Sequence, residues 1–313
     1  MSGLDAGILE TAVHFARRLG FRVDGALCKP ADILDVGRLL DNLGRRRSGR
    51  PGGSQQSLTQ ESSARCLEAI RNGELFLRYQ PQIDLATGRT TGAEALVRWN
   101  HPEQGELQPL TFVPLLEEGG AASELAQYVL LRALSDTRQL RQTWPAFRVS
   151  VNVHASVLRA PEFVERLLSA LRTENMPAGA LCIEATETAI VDDAPDTLEN
   201  LVKLRMAGVQ LSIDDFGTGH STLQQLLRLP VNEIKLDRSF VSRLETSAKS
   251  RALTHGVLHI AAALGASVVA EGIETSEVHA TLREMGCGIG QGYLFARPLT
   301  LDALTSWLGQ HVP

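Results

Sequence analysis

The feature that most constrains this chain is a rhythm. Between residues 75 and 293, short apolar runs of strand length recur, and helical patterns fill most of the gaps. The runs are LFLRYQPQI (75–83), TTGAEALVRW (90–99), FRVSVNV (147–153), LCIEAT (181–186), VQLSIDD (209–215), NEIKLD (232–237), SVVAEG (267–272) and IGQGY (289–293). Helix-period patterns between them include SELAQYVLLRALSDTRQLRQ, PEFVERLLSALRTE, APDTLENLVKLRMAG and SEVHATLREMG. Strand–helix alternation over about 250 residues predicts an α/β chain folded as a (β/α)8 TIM-like barrel. The link between the first two runs, through Ala86-Thr87-Gly88, is too short for a helix. Those two strands are expected to pair as a hairpin, so that one strand runs antiparallel to the rest.

Ahead of the barrel, residues 1–44 predict a short N-terminal α-β-α segment. A helix over 7–19 ends at Gly20, the strand FRVDGALCKP follows, and ADILDVGRLLDNLG forms a second helix. One strand in about 45 residues does not close a sheet or bury an adequate core alone. Residues 45–62, RRRSGRPGGSQQSLTQES, are nearly devoid of apolar side chains and predict an exposed linker, which leaves 63–313 for the barrel.

Charge narrows the partners. The chain carries a formal −5, with +3 in residues 1–60 and therefore −8 in the remaining 253. Such a body does not hold duplex nucleic acid by bulk electrostatics, so an anionic substrate needs local cations or metal. Residues 252–270 contain no Asp, Glu, Lys or Arg, but Gly265 stops the helix before a β-rich segment, so a buried helix–strand unit is expected rather than a membrane span. No basic stretch leads into an apolar one at the N-terminus, so no secretory signal is read. Cys28, Cys66, Cys182 and Cys287 are widely spaced, which fits a reducing, cytoplasmic setting better than a disulfide framework.

The chemistry is expected at the C-terminal strand ends, which converge on one face of a parallel barrel. Glu94 lies within its run, Asn152 near the end of VSVN, Glu184 at the end of LCIE, and Asp214 and Asp215 at the end of LSIDD. Lys235 sits in EIKLD, Glu271 ends SVVAE and Gln291 falls in the last run. Buried carboxylates are costly unless paired or bound to metal. An all-oxygen rim suits a hard cation, Mg²⁺ or Mn²⁺, rather than zinc or copper. The adjacent Asp214-Asp215 pair repels itself unless a cation lies beside it.

In order, the motifs YQP (79–81), Glu94-Ala95-Leu96 within EALVRW, SVN (150–152), IEATET (183–188), DDFGTG (214–219), KLDRSF (235–240), EGIET (271–275), GQGYLF (290–295) and ARPL (296–299) closely resemble the EAL-domain cyclic-di-GMP phosphodiesterases over about residues 64–310. The resemblance implies two metal ions, Mg²⁺ or Mn²⁺, with Ca²⁺ inhibitory, and hydrolysis of cyclic di-GMP to linear pGpG. Glu94, Asn152, Glu184 and Asp214 match the ligands of one ion, and Asp214, Asp215 and Glu271 those of the second. Lys235 matches the lysine that meets the attacking water, Glu271 doubles as ligand or base, and Glu187 matches the anchor of the loop after DDFG. Gln80, Leu96, Arg98 and Gln291 fall where the family contacts or encloses substrate. A homodimer with its interface near DDFGTGHS and the apolar TLQQLLRLP is also implied. The sequence departs from the pattern at His220, at Ala185 and in the small-residue stretch GGAASELAQ (119–127).

The competing expectation within the family is a catalytically silent receptor for cyclic di-GMP, but none of the acidic ligands is missing. An enolase-type barrel would not carry these ordered motifs. Residues 1–44 resemble the last third of a response-regulator receiver domain, with Lys29 matching its phosphate-contacting lysine. No phospho-accepting Asp stands in the receiver position, so this remnant is expected to act by docking a regulatory protein partner rather than by phosphorylation.

Overall fold

The computed structural model describes residues 64–187, 189, 195–217, 226 and 228–310. The expectations for residues 1–44 and 45–62, for Thr218, His220 and Ser221, and for most of TLQQLLRLP lie outside these residues.

Among the described residues, nine strands form one sheet: β1 (Leu75–Asp84), β2 (Thr90–His101), β3 (Gly105–Leu107), β4 (Arg148–Asn152), β5 (Leu181–Thr186), β6 (Gln210–Phe216), β7 (Glu233–Leu236), β8 (Ser267–Ala270) and β9 (Ile289–Gly290). Their order is β1-β9-β8-β7-β6-β5-β4-β2-β3, and β1 also pairs with β2, which closes an eight-stranded barrel with β3 appended outside it. The expected antiparallel strand is β1, which runs against both β2 and β9. The other barrel pairs, from β2–β4 round to β8–β9, are parallel. The hairpin turns on Asp84, whose Oδ1 accepts from the Ala86 and Thr87 amides at 3.1 and 2.8 Å. Gly88, at φ +74°, supplies the left-handed residue that returns the chain.

The helices are α1 (Pro109–Glu118), α2 (Ala122–Arg141), α3 (Ala155–Leu158), α4 (Phe163–Thr173), α5 (Pro195–Met206), α6 (Arg238–Val241), α7 (Ala248–Leu264), α8 (Ser276–Glu284) and α9 (Leu301–Gln310). α2 shows why these segments are helical. Leu125, Ala126, Val129, Leu130, Ala133 and Leu134 recur at three- and four-residue spacing and are all buried. They join a core with Val149, Val151, Leu181, Ile183, Leu211, Ile213, Ile234 and Leu236 from the outward faces of the strands. Burying each large side chain contributes about 1.5–3 kcal/mol.

The uncharged 252–270 stretch divides as the glycine indicated. α7 ends at Gly265, φ +67°, with Ala266 N–H donating to Ala261 C=O at 2.9 Å and Gly265 N–H to Ala262 C=O at 3.2 Å. β8 is buried from Val268 to Ala270, whereas only Ser250, Thr254 and Ala261 of α7 are fully buried. That corrects the expectation of a buried helix: most of α7 is exposed and the rest largely half-buried, because an uncharged run of Ala, Thr and His side chains tolerates solvent. Among the described residues, no helix is long and apolar enough to cross a membrane.

Candidate active site

The strands carry their polar residues inward. On β2, Gly92, Glu94 and Leu96 share one face, and Glu94 lies opposite Gln80 on β1 and Ser150 on β4. Asn152 pairs with Glu184 across β4–β5, and Thr186 with Asp214 across β5–β6. Lys235 lies on β7 opposite Val269. Glu271 and Gln291 stand just past the ends of β8 and β9, shorter strands than the sequence predicted.

Lys235 is the hub. Its ammonium, 1 % exposed, lies 2.7 Å from Glu184 Oε2, 2.8 Å from Glu271 Oε1, 3.1 Å from Asp214 Oδ1 and 3.3 Å from Glu94 Oε2. Asn152 Nδ2 donates to Glu94 Oε1 at 2.7 Å. Gln291 Nε2 donates to Glu94 Oε2 at 2.7 Å and to Glu271 Oε1 at 3.0 Å.

Asp214 and Asp215 would point to opposite faces of a regular strand. A bulge intervenes: β6–β7 register runs Ile213↔Ile234 and then Phe216↔Leu236, with one extra residue on β6. Asp215 takes φ +56°, a strained left-handed conformation for a non-glycine residue. The result is that one carboxylate oxygen from each of Asp214, Asp215 and Glu271 lies within 4.8 Å of the others. Just beyond, Gly217 N–H donates to Glu187 Oε2 at 2.9 Å, which ties the segment after the aspartates to the end of β5.

Four carboxylates around one ammonium set the electrostatics. Burial alone would push the Lys235 ammonium down, but Glu184, Glu94, Glu271 and Asp214 together hold it well above its usual value. Burial pushes the Glu184 carboxyl well up, and repulsion from Glu94 and Asp214 adds to it. Burial, with Glu94 and Asp214 repelling and Lys235 opposing, raises Glu271 to about 7. Asp215 is raised by burial and by Asp214 and Asp237. Glu94 goes the other way: Lys235, Gln291 and Asn152 outweigh its burial and hold it below the usual carboxylate range. A divalent cation bound here would favour the ionised form of the raised carboxyls.

The carboxylates fit hard cations: they offer only oxygen, and Glu184 Oε1 is buried without a hydrogen-bond partner. Asn152 turns Nδ2 toward Glu94, so it would have to turn its amide over to offer Oδ1 to an ion.

Two cavities flank the cluster. One, of about 230 Å³, is lined by Gln80, Glu94, Leu96, Asp214, Lys235, Arg238, Glu271, Gln291 and Tyr293 among others. The other, of about 470 Å³, is more apolar and is walled by Leu96, Pro109, Val113, Ala122, Ala126, Asn152 and Glu184 among others. From the 119–127 stretch, Ala122, Leu125 and Ala126 wall this second space. Of the expected substrate residues, Gln80, Leu96 and Gln291 line the first cavity. Arg98 does not line it. It is buried, with Nη1 donating to Val97 C=O at 2.8 Å and Nε 3.7 Å from Glu106.

Sequence reasoning missed the rim. Arg238 lines the first cavity and pairs with Glu274 at 2.7 Å. Gly272 makes room for it, since a Cβ there would lie 2.3 Å from Arg238 Cγ. The signal was the glycine directly after Glu271, a position where close approach excludes a side chain.

Comparison with known proteins agrees with this geometry. The model of the EAL domain matches residues 63–298. The cyclic di-GMP phosphodiesterase RocR of Pseudomonas aeruginosa is 36% identical over 300 residues, which cover 95% of this chain and 76% of RocR. The cyclic di-GMP phosphodiesterase NbdA of the same organism is 42% identical over 254 residues, covering 81% of this chain but only 32% of NbdA. Among solved structures, the PaMucR phosphodiesterase in complex with c-di-GMP is similar with a TM-score of 0.75 at 33% identity, over 78% of this chain and 99% of that one. Motif order, barrel, carboxylate cluster and these matches together show that this chain belongs to the EAL domain family.

Proposed function

We propose that this chain hydrolyses cyclic di-GMP to linear pGpG, lowering a bacterial second messenger. The observation that carries the reading is the lysine-centred carboxylate cluster at the barrel mouth with a cavity on each side. A cyclic dinucleotide has that shape, a phosphodiester core with a base to either side. The curated relatives RocR and NbdA carry this activity in their names.

Two divalent ions, Mg²⁺ or Mn²⁺, are proposed, one held by Glu94, Asn152, Glu184 and Asp214 and the other by Asp214, Asp215 and Glu271. When bound they would polarise the phosphoryl oxygens and lower the pKa of water. Ca²⁺, larger and less strict in geometry, is proposed to occupy the site without supporting turnover. The chain's own groups do the rest. Lys235 orients the attacking water and stabilises charge that develops at phosphorus. Glu271 is proposed to serve either as ligand to the second ion or as the base that accepts the water proton at a carboxylate oxygen. The new P–O bond forms as the P–O3′ bond breaks, and the departing O3′ takes up a proton, leaving a 5′-phosphate and a 3′-hydroxyl. Glu187 holds Gly217, and with it the chain that follows the aspartates. Gln80, Leu96 and Gln291 are proposed to bound the substrate.

The active unit is proposed as a homodimer in the cytoplasm, with residues 1–44 as a receiver-like docking unit for a regulatory partner. The RocR alignment covers 95% of the chain and so extends into that segment. Incubation of the full chain with cyclic di-GMP and Mg²⁺ or Mn²⁺, read by chromatography, tests the main proposal. Formation of pGpG that chelation abolishes is expected. Tight binding without turnover would instead identify a silent receptor.

A further inference from the structure

Resting on that reading, we propose that Gln82 is a positioning residue that fixes the orientation of the Gln291 amide and through it the spacing of Glu94 and Glu271. Gln82 is fully buried inside the barrel, two residues along β1 from Gln80 and paired with Gly92, itself two residues before Glu94. An uncharged amide in such a place is costly unless it is hydrogen-bonded. Its Nε2 donates to Gln291 Oε1 at 3.4 Å, while its own Oε1 has no partner.

The arrangement has a direction. Gln291 uses its NH₂ group on two carboxylates that stand on different strands and are assigned to different ions, Glu94 at 2.7 Å and Glu271 at 3.0 Å. A half-turn of that amide would aim its oxygen at both carboxylates and lose both bonds. The Gln82 NH₂ needs an acceptor on the far side, so it favours the orientation in which Gln291 Oε1 faces Gln82 and Nε2 faces the carboxylates. Gln82 lines neither cavity at the cluster, so its influence runs through Gln291.

The test is a double-mutant cycle on the full chain, with Gln82→Met, Gln291→Ala and the pair. The first readout is the Mn²⁺ dissociation constant by calorimetry, and the second is kcat and KM for cyclic di-GMP. Partners behind metal ligands typically cost about 10–100-fold in affinity, so Gln82→Met is expected to weaken Mn²⁺ binding about tenfold, with a fall in kcat and little change in KM. If Gln82 acts through Gln291, adding Gln82→Met to Gln291→Ala changes Mn²⁺ affinity less than about twofold. Independent, multiplying effects would overturn the proposal, as would unchanged Mn²⁺ affinity in Gln82→Met. If Gln82→Met does not fold, Gln82→Leu takes its place in the cycle. Wild-type protein that binds Mn²⁺ but does not turn over would refute the hydrolase reading alone, and the cycle still decides the role of Gln82. Wild-type protein that binds no Mn²⁺ refutes both.

Discussion

Replacing Lys235 by Met separates what the lysine does for folding from what it does for chemistry. The ammonium is 1 % exposed and has four carboxylate oxygens between 2.7 and 3.3 Å. Methionine fills similar volume without charge, so the loss is electrostatic rather than a cavity. Removing one partner of a buried charge pair costs about 3–5 kcal/mol, because the other is left uncompensated. For a domain of about 250 residues each kcal/mol moves Tm by about 2–4 °C, so the metal-free variant should melt about 10 °C lower at neutral pH. The sign of the pH dependence follows. Without the lysine, which holds them down, the Glu184 and Glu271 carboxyls shift further up, and protonation relieves the repulsion. The deficit should be small below about pH 4.5 and grow as pH rises through about 7. In the proposed two-metal site Lys235 would compete with metal for Glu184 Oε2, Asp214 Oδ1 and Glu271 Oε1, which it contacts. The variant should therefore bind Mn²⁺ at least as tightly as wild type while its kcat falls by about 10²–10³, the cost of losing one preorganised charge stabiliser. The assays are thermal melts from acid to mildly alkaline pH with and without Mn²⁺, Mn²⁺ calorimetry, and turnover under saturating metal. A melting deficit that does not vary with pH, or Mn²⁺ affinity that falls with the lysine, would refute the reasoning.

Glu94→Ala should lose several orders of magnitude in Mg²⁺-supported turnover, since the barrier rises tenfold for each ~1.4 kcal/mol and a buried ligand is worth several; near-native rates would remove Glu94 from the site. Glu271, raised to about 7, favours the folded state when protonated, a contribution fully present below the unfolded-state value and lost as pH rises through about 7. Metal-free wild type should lose about 3 kcal/mol across that window, and Glu271→Gln, read by denaturant melts, should flatten the dependence. Gly292→Ala would put a Cβ 2.1 Å from the Ile273 carbonyl oxygen and 2.3 Å from its nitrogen, so a drop of more than about 2 kcal/mol is expected in the same melts.

What the sequence revealed divides by physical cause. Strands buried on both faces read as apolar runs, and the predicted bounds of β5 match the observed Leu181–Thr186. The hairpin was legible because three residues hold no helix, and the end of α7 because Gly265 needs a positive φ. α1 was not legible, since Pro114 inside it reads as a helix breaker although Pro109 suits its first turn. β3, three residues long, carries no periodicity. The acidic rim could be read from strand ends, but not how it closes. The bulge at Asp215 depends on β6–β7 register, and the clamp by Gln291 joins residues 197 apart in the chain. Gln82 looked like one of several polar residues on an apolar run, and only burial set it apart.

The cluster also poses a folding problem that its lysine solves. Glu94, Glu184, Asp214 and Glu271 converge from four strands, and a barrel that closes before metal arrives must bring them together against their mutual repulsion. Protonation meets part of this, as the raised Glu184 and Glu271 show. The Lys235 ammonium meets the rest from the floor of the site, and it is tethered, so it is present at any metal concentration. A divalent ion bound at the proposed site would share oxygens with the lysine and would displace protons from the raised carboxyls, so metal affinity should rise with pH through about 7. The same side chain thus offsets repulsion among the four carboxylates and is the group proposed to orient the attacking water, which is why a substitution that spares the fold at acidic pH should still abolish most of the turnover.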